Sequence, residues 1–507
     1  MKTNPSFRRW LLSFSLIATP AWAANITVAP SGADHTTIQA AINAAAPGDT
    51  IQVAAGTYNE APIVSKRVSI IGAGSNAATG TVITASSATI GSSTGGAIQL
   101  TASGLSQAEP VLIKGIRIQP SGVAGISVGF FAADVAPGTT VEHVKLDDVA
   151  VIGNHTAPCT EQERGLSVGR LSTLRDLVVT GCAFNDLNYG WYLMKETTLG
   201  DASTVENVTV SNTTFSNNTN KGLYAEKLSD ASFTDCTVSS NGDSAAGFGA
   251  CSYFIPFLAG FDINLKAGTY GNLSFEGCLF TNNGLGVKEG VGLTVKGRSD
   301  GGYADNPASV DGVSIENCTI TGNERGVRFG EPGKGNPTPT NVTISNSTIT
   351  GNVKTYTGTD GSDNGDVVNS TSVVVAGIAA NTAQWNLSTG SSLQAAVNAA
   401  SPGDTLVIED GTYALTSTLN ILKPLTLLGE SQTGVVINAS ANGTGYGIHI
   451  EADNVTLGNL TLLPPVVPAS LGTSGGGGYA IHASFNHTVP YAAYSNLNLH
   501  DISVANG

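Results

Sequence analysis

Charge is scarce in this sequence. Only 12% of its 507 residues are Asp, Glu, Lys or Arg, too few for helices with charged outer faces. Aromatic residues make up 6%, and Met occurs twice. The six cysteines all lie between Cys159 and Cys318, no two in C-x-x-C spacing, and the seven histidines are scattered without an H-E-x-x-H. A metal held by His or Cys is therefore not expected. Basic residues are outnumbered 23 to 38, for a net charge of −15, which argues against a nucleic-acid partner. No apolar run past the N-terminus is long enough to span a membrane. What is abundant is Gly, at 62, together with Asn, Ser and Thr, against a 41% hydrophobic background. That mix suits many short strands joined by polar turns, in a chain long enough for two or three domains.

The first residues read as a targeting segment. Lys2, Arg8 and Arg9 form a positive region, "WLLSFSLIATP" a short apolar one, and "AWA" at Ala21–Ala23 a small-residue cleavage site. Residues 1–23 are excluded from the fold on this reading, and their loss takes the net charge from −15 to −18. The expected location is secreted, periplasmic or cell-surface, where disulfides are permitted.

The middle of the chain repeats. "CAFNDLNYG" begins at Cys182, "TTFSNNTNKG" at Thr213, "CTVSSN" at Cys236, "CLFTNNGLG" at Cys278, "CTITGNERG" at Cys318 and "STITGN" at Ser347. An Asn recurs five places into each unit, at Asn218, Asn241, Asn283, Asn323 and Asn352, with Leu187 in its place in the first. Such spacing signals a solenoid, and the alternation of "VENVTVSN" and "VTISNS" makes its units strands. Stacked coils place equivalent residues in ladders. An Asn ladder suits a tight turn, because Asn tolerates a left-handed backbone and its amide can bond along the stack. The ladder cysteines share the parity of the inward apolar residues, so their sulfurs are expected in the core as structural thiols. Cys159 and Cys251, off the ladder, are free to pair with each other.

A longer repeat frames the shorter one. "TIQAAINAAAPGDTIQVAAGTY" (37–58) returns as "SLQAAVNAASPGDTLVIEDGTY" (392–413) without a gap. Ile38, Ala41, Ile42 and Ala45 form one apolar helical stripe that Pro47-Gly48-Asp49 ends. A solenoid needs its open apolar end closed. Two such phrases predict two solenoids, each with a short N-terminal capping helix: 24–352, a Gly/Asp-rich linker at 353–387, and 388–507. The second stops mid-coil at "DISVANG", and a fragment or a covered end is expected. The phrase, with the following "VSIIGAG", resembles the start of right-handed parallel β-helix proteins of the pectin-lyase-like superfamily, of bacterial exported type. The likeness covers roughly 24–352 and 388–507 and implies an all-β fold.

Enzymes of that superfamily mostly act on polysaccharides, often acidic ones. The Asp-Phe-x-Phe-Gly and Gly-Arg-Pro-Trp stretches of pectinesterases are missing, as are the Asn-Thr-Asp and Gly-His-Gly of polygalacturonases and the Arg-x-Pro-x-x-Arg of pectate lyases. Lyases that rely on Lys and Arg in a groove, of the chondroitinase B and alginate type, stay open. A cation follows several of the repeat glycines: Arg170, Lys195, Lys227, Lys266 and Lys296. Stacked one coil apart, about 4.8 Å, they would form a basic column for a uronate chain. Lys296, Arg298 and Arg328 are then catalytic candidates, since elimination needs a cation at the carboxylate and a base at the adjacent proton. Arg170, Lys195, Lys227 and Lys266, with Tyr189 and Trp191 as sugar-stacking rings, are candidates for binding substrate. Against this, the Gly-to-cation offsets differ in parity, and strand-end cations also serve as solubilising edges. A buried ring would merely fill the coil, and because Trp191 and Tyr192 alternate, at least one of them is expected in the core. Two functions follow: an exported protein that binds or processes an acidic polysaccharide, as a lyase if it is an enzyme, or a non-catalytic, adhesin-like surface scaffold. The acidic residues of the linker do not match an EF-hand, and calcium dependence is left open.

Overall fold

The computed structural model describes residues 23–86, 95–129, 138–154, 163–197, 200–242, 257–287, 289–330, 336, 339–350, 352, 367–369, 384–387, 392–400, 402–403, 405–408, 410–442, 445–466, 478–483 and 494–505. The leader, Cys159 and Cys251 lie outside them, apart from Ala23.

Every pairing between the strands is parallel, each strand bonding to its equivalent one coil away. Leu177 pairs with Val208, Val208 with Ala231, Ala231 with Leu273, Leu273 with Val313 and Val313 with Val342. Each central coil carries three strands, as in Thr173–Thr180, Ala183–Asn185 and Tyr189–Leu193. Among the described residues the first two faces of the stack merge into one sheet of 26 strands where long strands such as Thr140–Ile152 turn the corner, and the third face is a ten-stranded sheet and, after the second copy of the phrase, a three-stranded one. This is the expected all-β parallel solenoid.

Left-handed residues make the corners. Between the first and second faces these are Gly181, Asn212, Asp235, Gly277, Asn317 and Asn346, each just before the Cys/Thr/Ser ladder. After the second face they are Asp186, Asn217, Ser240, Asn282 and Gly322. The left-handed residue is thus the one before the ladder Asn, and the ladder Asn itself has another task. Its Nδ2 donates to the next amide oxygen: Asn218 to Asn241 at 2.8 Å, Asn241 to Asn283 at 2.9 Å, Asn283 to Asn323 at 2.8 Å and Asn323 to Asn352 at 2.8 Å. Each Nδ2 also donates to a backbone carbonyl, such as Phe184 O or Phe215 O, and each Oδ1 accepts the backbone N–H one coil earlier. All five asparagines are buried and satisfied within the stack.

Inside, rings and thiols fill the coil. Phe184 stacks on Phe215 at 5.5 Å and Phe233 on Phe275 at 5.4 Å. Cys182, Cys236, Cys278 and Cys318 are buried free thiols, and burial pushes the Cys182 thiol up to about 12, which denies it thiolate chemistry at neutral pH.

Helix Ile38–Ala44, its N-cap Thr37 accepting from Ala40 N, sinks Ile38, Ala41 and Ile42 into the core. A strand unforeseen from the sequence precedes each repeated phrase. Asn25–Val28 pairs with Thr50–Val53, and Gln384–Leu387 pairs with Thr405–Ile408. The second of these also pairs with Thr348–Thr350 of the preceding coils. The span expected as a linker therefore contributes strands, at Val367–Asn369 and Gln384–Leu387.

Asn241→Ala removes two links of the ladder and leaves the amide of Asn218 and the carbonyl of Phe215 short of partners. A loss of roughly 2–4 kcal/mol is expected from these buried groups, read as a lowered denaturant midpoint. An unchanged midpoint would refute the role given to the ladder.

Candidate functional site

The third face presents a ladder of polar side chains. Ser167, Tyr192, Tyr224, Asp262, Thr294 and Arg328 are paired successively along it. Lys221 pairs in register with Tyr189 on one side and Ala259 on the other, and Asn264 with Lys296. Gly190, Gly222, Gly260 and Gly292 set this face against the corner. A Cβ on them would lie 2.2, 2.8, 2.4 and 2.9 Å from the next glycine's carbonyl oxygen, so no side chain fits there.

Three carboxylates organise the cations. Lys221 Nζ donates to Asp262 Oδ2 at 2.6 Å, and Lys296 Nζ lies 3.6 Å from Oδ1. Arg328 sits 3.5 Å from Glu289 and close enough to act on Asp262. One rung back, Glu226 binds Lys266 and accepts from the Tyr224 hydroxyl at 2.9 Å, which itself accepts from Asn264 Nδ2 at 3.2 Å. Lys221 also lies 4.4 Å above the Tyr224 ring. Asp262, Lys296, Arg328 and Thr294 are buried, while Tyr224 is only partly so. Among the described residues, Thr294 Oγ1 and Asn264 Oδ1 have no hydrogen-bond partner.

Burial alone would raise Asp262, but Lys221, Lys296 and Arg328 more than offset it and hold the carboxyl below the usual range. Burial, with Glu226 beside it, pushes the Tyr224 phenol well above its ordinary value. The phenol therefore keeps its proton at neutral pH. Burial would lower Lys266, and Glu226 reverses this to a net rise.

The residues singled out from sequence fall into four groups. Lys296, Arg328 and Lys266 join the cluster, with Tyr189 at its edge, its ring 4.5 Å from Tyr192. Lys195 and Lys227 do not join it. Lys227 Nζ is enclosed by the carbonyls of Gly169, Arg170 and Ser172 and by Ser203 Oγ, and Lys195 Nζ by the carbonyls of Asp201 and Ser203. Both ammoniums tie down a turn, which leaves them little for a substrate. Arg170 pairs with Glu196 at 3.4 Å, and Arg298 with Asp300 at 2.6 Å beside the Tyr303 ring. Trp191 is 0% exposed, edge-on to Phe184 and Phe215. Its strand position turns it inward, so the indole is core and offers no face to a sugar.

A family model described as "Right handed beta helix region" matches residues 96–380. The chain belongs to this right-handed β-helix family. No curated protein matches it. Among solved structures the β-helix is similar to the PL6 family alginate lyase AlyGC, at 12% identity over 95% of this chain and 76% of that one, with a TM-score of 0.30. It is also similar to the A-module of mannuronan C-5 epimerase AlgE4 of Azotobacter vinelandii, at 13% identity over 95% and 97% with a TM-score of 0.31. Pectate lyase Pel9A matches at 13% identity over 86% and 78%, with a TM-score of 0.29.

Sequence reasoning missed Lys221, Tyr224, Glu226, Asp262, Asn264 and Thr294 of this β-helix. A signal existed. "KGLYAEK", "GFDINLK" and "GLTVK" each place polar residues two and four positions after the repeat glycine, on the face opposite the core. Among the described residues, no three His, Cys, Asp or Glu side chains converge as metal ligands would.

Asp262→Asn strips Lys221 and Lys296 of their counter-charge, and about 3 kcal/mol of stability is expected to go with it at pH 7. The native carboxyl titrates below its unfolded value near 3.9, so its contribution is complete above about that pH and fades as pH falls through the folded value. Denaturant midpoints of wild type and variant should thus differ at neutral pH and converge in strong acid. A constant gap would contradict the assignment.

Proposed function

We propose that this is an exported β-helix protein that binds an acidic polysaccharide on its third face and cleaves it by elimination. The observation that carries the reading is the cation excess there. On a chain of net charge −15, Lys221, Lys266, Lys296 and Arg328 gather round Asp262, Glu226 and Glu289. Lys296 and Arg328 suit a sugar carboxylate, whose neutralisation acidifies the adjacent C5 proton. Tyr224 and Glu226 supply a proton relay. As the phenol passes its proton to Glu226 it takes the one from C5. The C5 electron pair forms the C4–C5 double bond, the C4–O bond breaks, and Glu226 returns its proton through Tyr224 to the leaving oxygen. Tyr224, less buried than Asp262, Thr294 and Arg328 beside it, is taken as the point of entry.

A second reading has its own support. The cations of the third face are largely paired within it and mostly buried, which suits a scaffold whose charges lock neighbouring coils.

The full chain, incubated with a panel of uronate polymers with and without Ca²⁺, separates the two. Ultraviolet absorbance from unsaturated uronates is expected to rise. Tyr224→Phe should slow it by about a hundredfold or more, and Lys296→Ala or Arg328→Ala should abolish it. No absorbance on any polymer would overturn the elimination and favour the scaffold. Undiminished activity in all three variants would move the chemistry off this face.

A further inference from the structure

The repeated phrase allows one part of the chain to serve as a control for another. After the first copy, strand Gly96–Leu100 pairs with Ala124–Val128, in the register Gly96↔Ala124, Ile98↔Ile126 and Gln99↔Ser127. After the second copy, strand Tyr446–Ile450 pairs with Tyr479–Ala483, in the register Tyr446↔Tyr479, Ile448↔Ile481 and His449↔His482. The inward positions are Ile in all four strands. The outward ones change from Gly, Ala, Gln and Ser to Tyr, Tyr, His and His. The coil therefore folds without rings at these places, and core packing does not account for them.

The four rings form one surface. Tyr446 and His482 stack 3.9 Å apart with planes 5° from parallel, His449 lies 5.2 Å from His482, and Tyr479 lies 6.1 Å from Tyr446. Tyr479 is 53% exposed, unusual for so large a ring, and the other three are partly exposed. Glu451 approaches His449 Nε2 at 3.5 Å, and His482 Nδ1 is buried without a hydrogen-bond partner among the described residues, so that any bond from this ring to a ligand would fall to its Nε2. Burial lowers His449 below the ordinary imidazole range, so the ring is neutral at pH 7. The patch thus offers aromatic faces, imidazole nitrogens and one carboxylate, with no Lys or Arg among the groups named.

We propose that this outward patch is a second carbohydrate-binding site, which holds pyranose units of a glycan chain by stacking on Tyr479 and by hydrogen bonds to His482 and His449. Pyranose rings have an apolar C–H face and a polar rim, and an exposed phenol ring beside imidazole rings matches both. Recognition without a cation fits this patch, as it does not fit the cationic third face of the first stack. The site does not depend on elimination occurring there.

Affinity electrophoresis of the full chain tests it, in gels containing either polygalacturonate or the neutral polymer hydroxyethylcellulose, at low and high salt. Tyr479→Ala and His482→Ser restore the residues of the first copy, where the same coil folds. Retardation that persists in high salt is expected for the wild type, weakened about tenfold in each variant, the size of one lost aromatic contact. Lys296→Ala and Arg328→Ala should leave this salt-resistant part unchanged and remove only salt-sensitive retardation. If Tyr479→Ala and His482→Ser migrate as wild type, or if no polymer retards the wild type in high salt, the proposal fails. A loss confined to Lys296→Ala and Arg328→Ala would also overturn it, while leaving the elimination site standing.

Discussion

The asparagine ladder is the constraint on which the coils depend. A parallel stack has no hairpin to fix its register, and each corner strands backbone groups that the neighbouring strands cannot reach. The amides of Asn218, Asn241, Asn283, Asn323 and Asn352 reach them, each bonding within its own stack position and to the next. An amide both donates and accepts, so an array of them can continue for any number of coils without leaving a group unpaired. Carboxylates in the same place would repel, and hydroxyls are too short. The ladder ends at Leu187, whose backbone N–H donates to Asn218 Oδ1 at 3.1 Å.

With register fixed, the outer face of the third sheet has no freedom over spacing. Whatever lies at one position lies about 4.8 Å from its equivalent in the next coil. Like charges at that distance would be costly, and the ladder Tyr224, Asp262, Thr294, Arg328 alternates character accordingly. Lys221 and Lys296 flank Asp262 from the two neighbouring rungs. The cluster is built by the same geometry that builds the core, with polar groups in place of apolar ones.

The fold was legible because it is periodic. Alternation named the strands, and recurring Asn and Cys named the ladders. The first error, placing the left-handed backbone on the ladder Asn, came from adjacent residues of similar propensity: Asn217 and Asn218, or Asn282 and Asn283, are interchangeable in composition and distinct in role. The site was less legible for a related reason. A cation at a strand end can turn outward to the third face, as Lys296 does, or into the turn, as Lys227 does. One residue of offset decides between them. The same one-residue margin separates Trp191, the core ring of the pair and not a sugar platform, from Tyr192 on the third-face ladder. The paired strands before each repeated phrase, "NITV" and "QWNL", are too short to show a period.

The strand Gln384–Leu387 joins the two repeats, and among the described residues its bond to the earlier coils is narrow. Among the described residues only Thr348↔Gln384 and Ile349↔Trp385 link it backward, whereas four residue pairs link it forward to Thr405–Ile408. In a stack whose cohesion is a sum of nearest-neighbour contacts, a weak interface is a fault line. Tension along the axis would be carried by the broad rungs on either side and would concentrate there. The chain would then part into two bodies before either one unravelled.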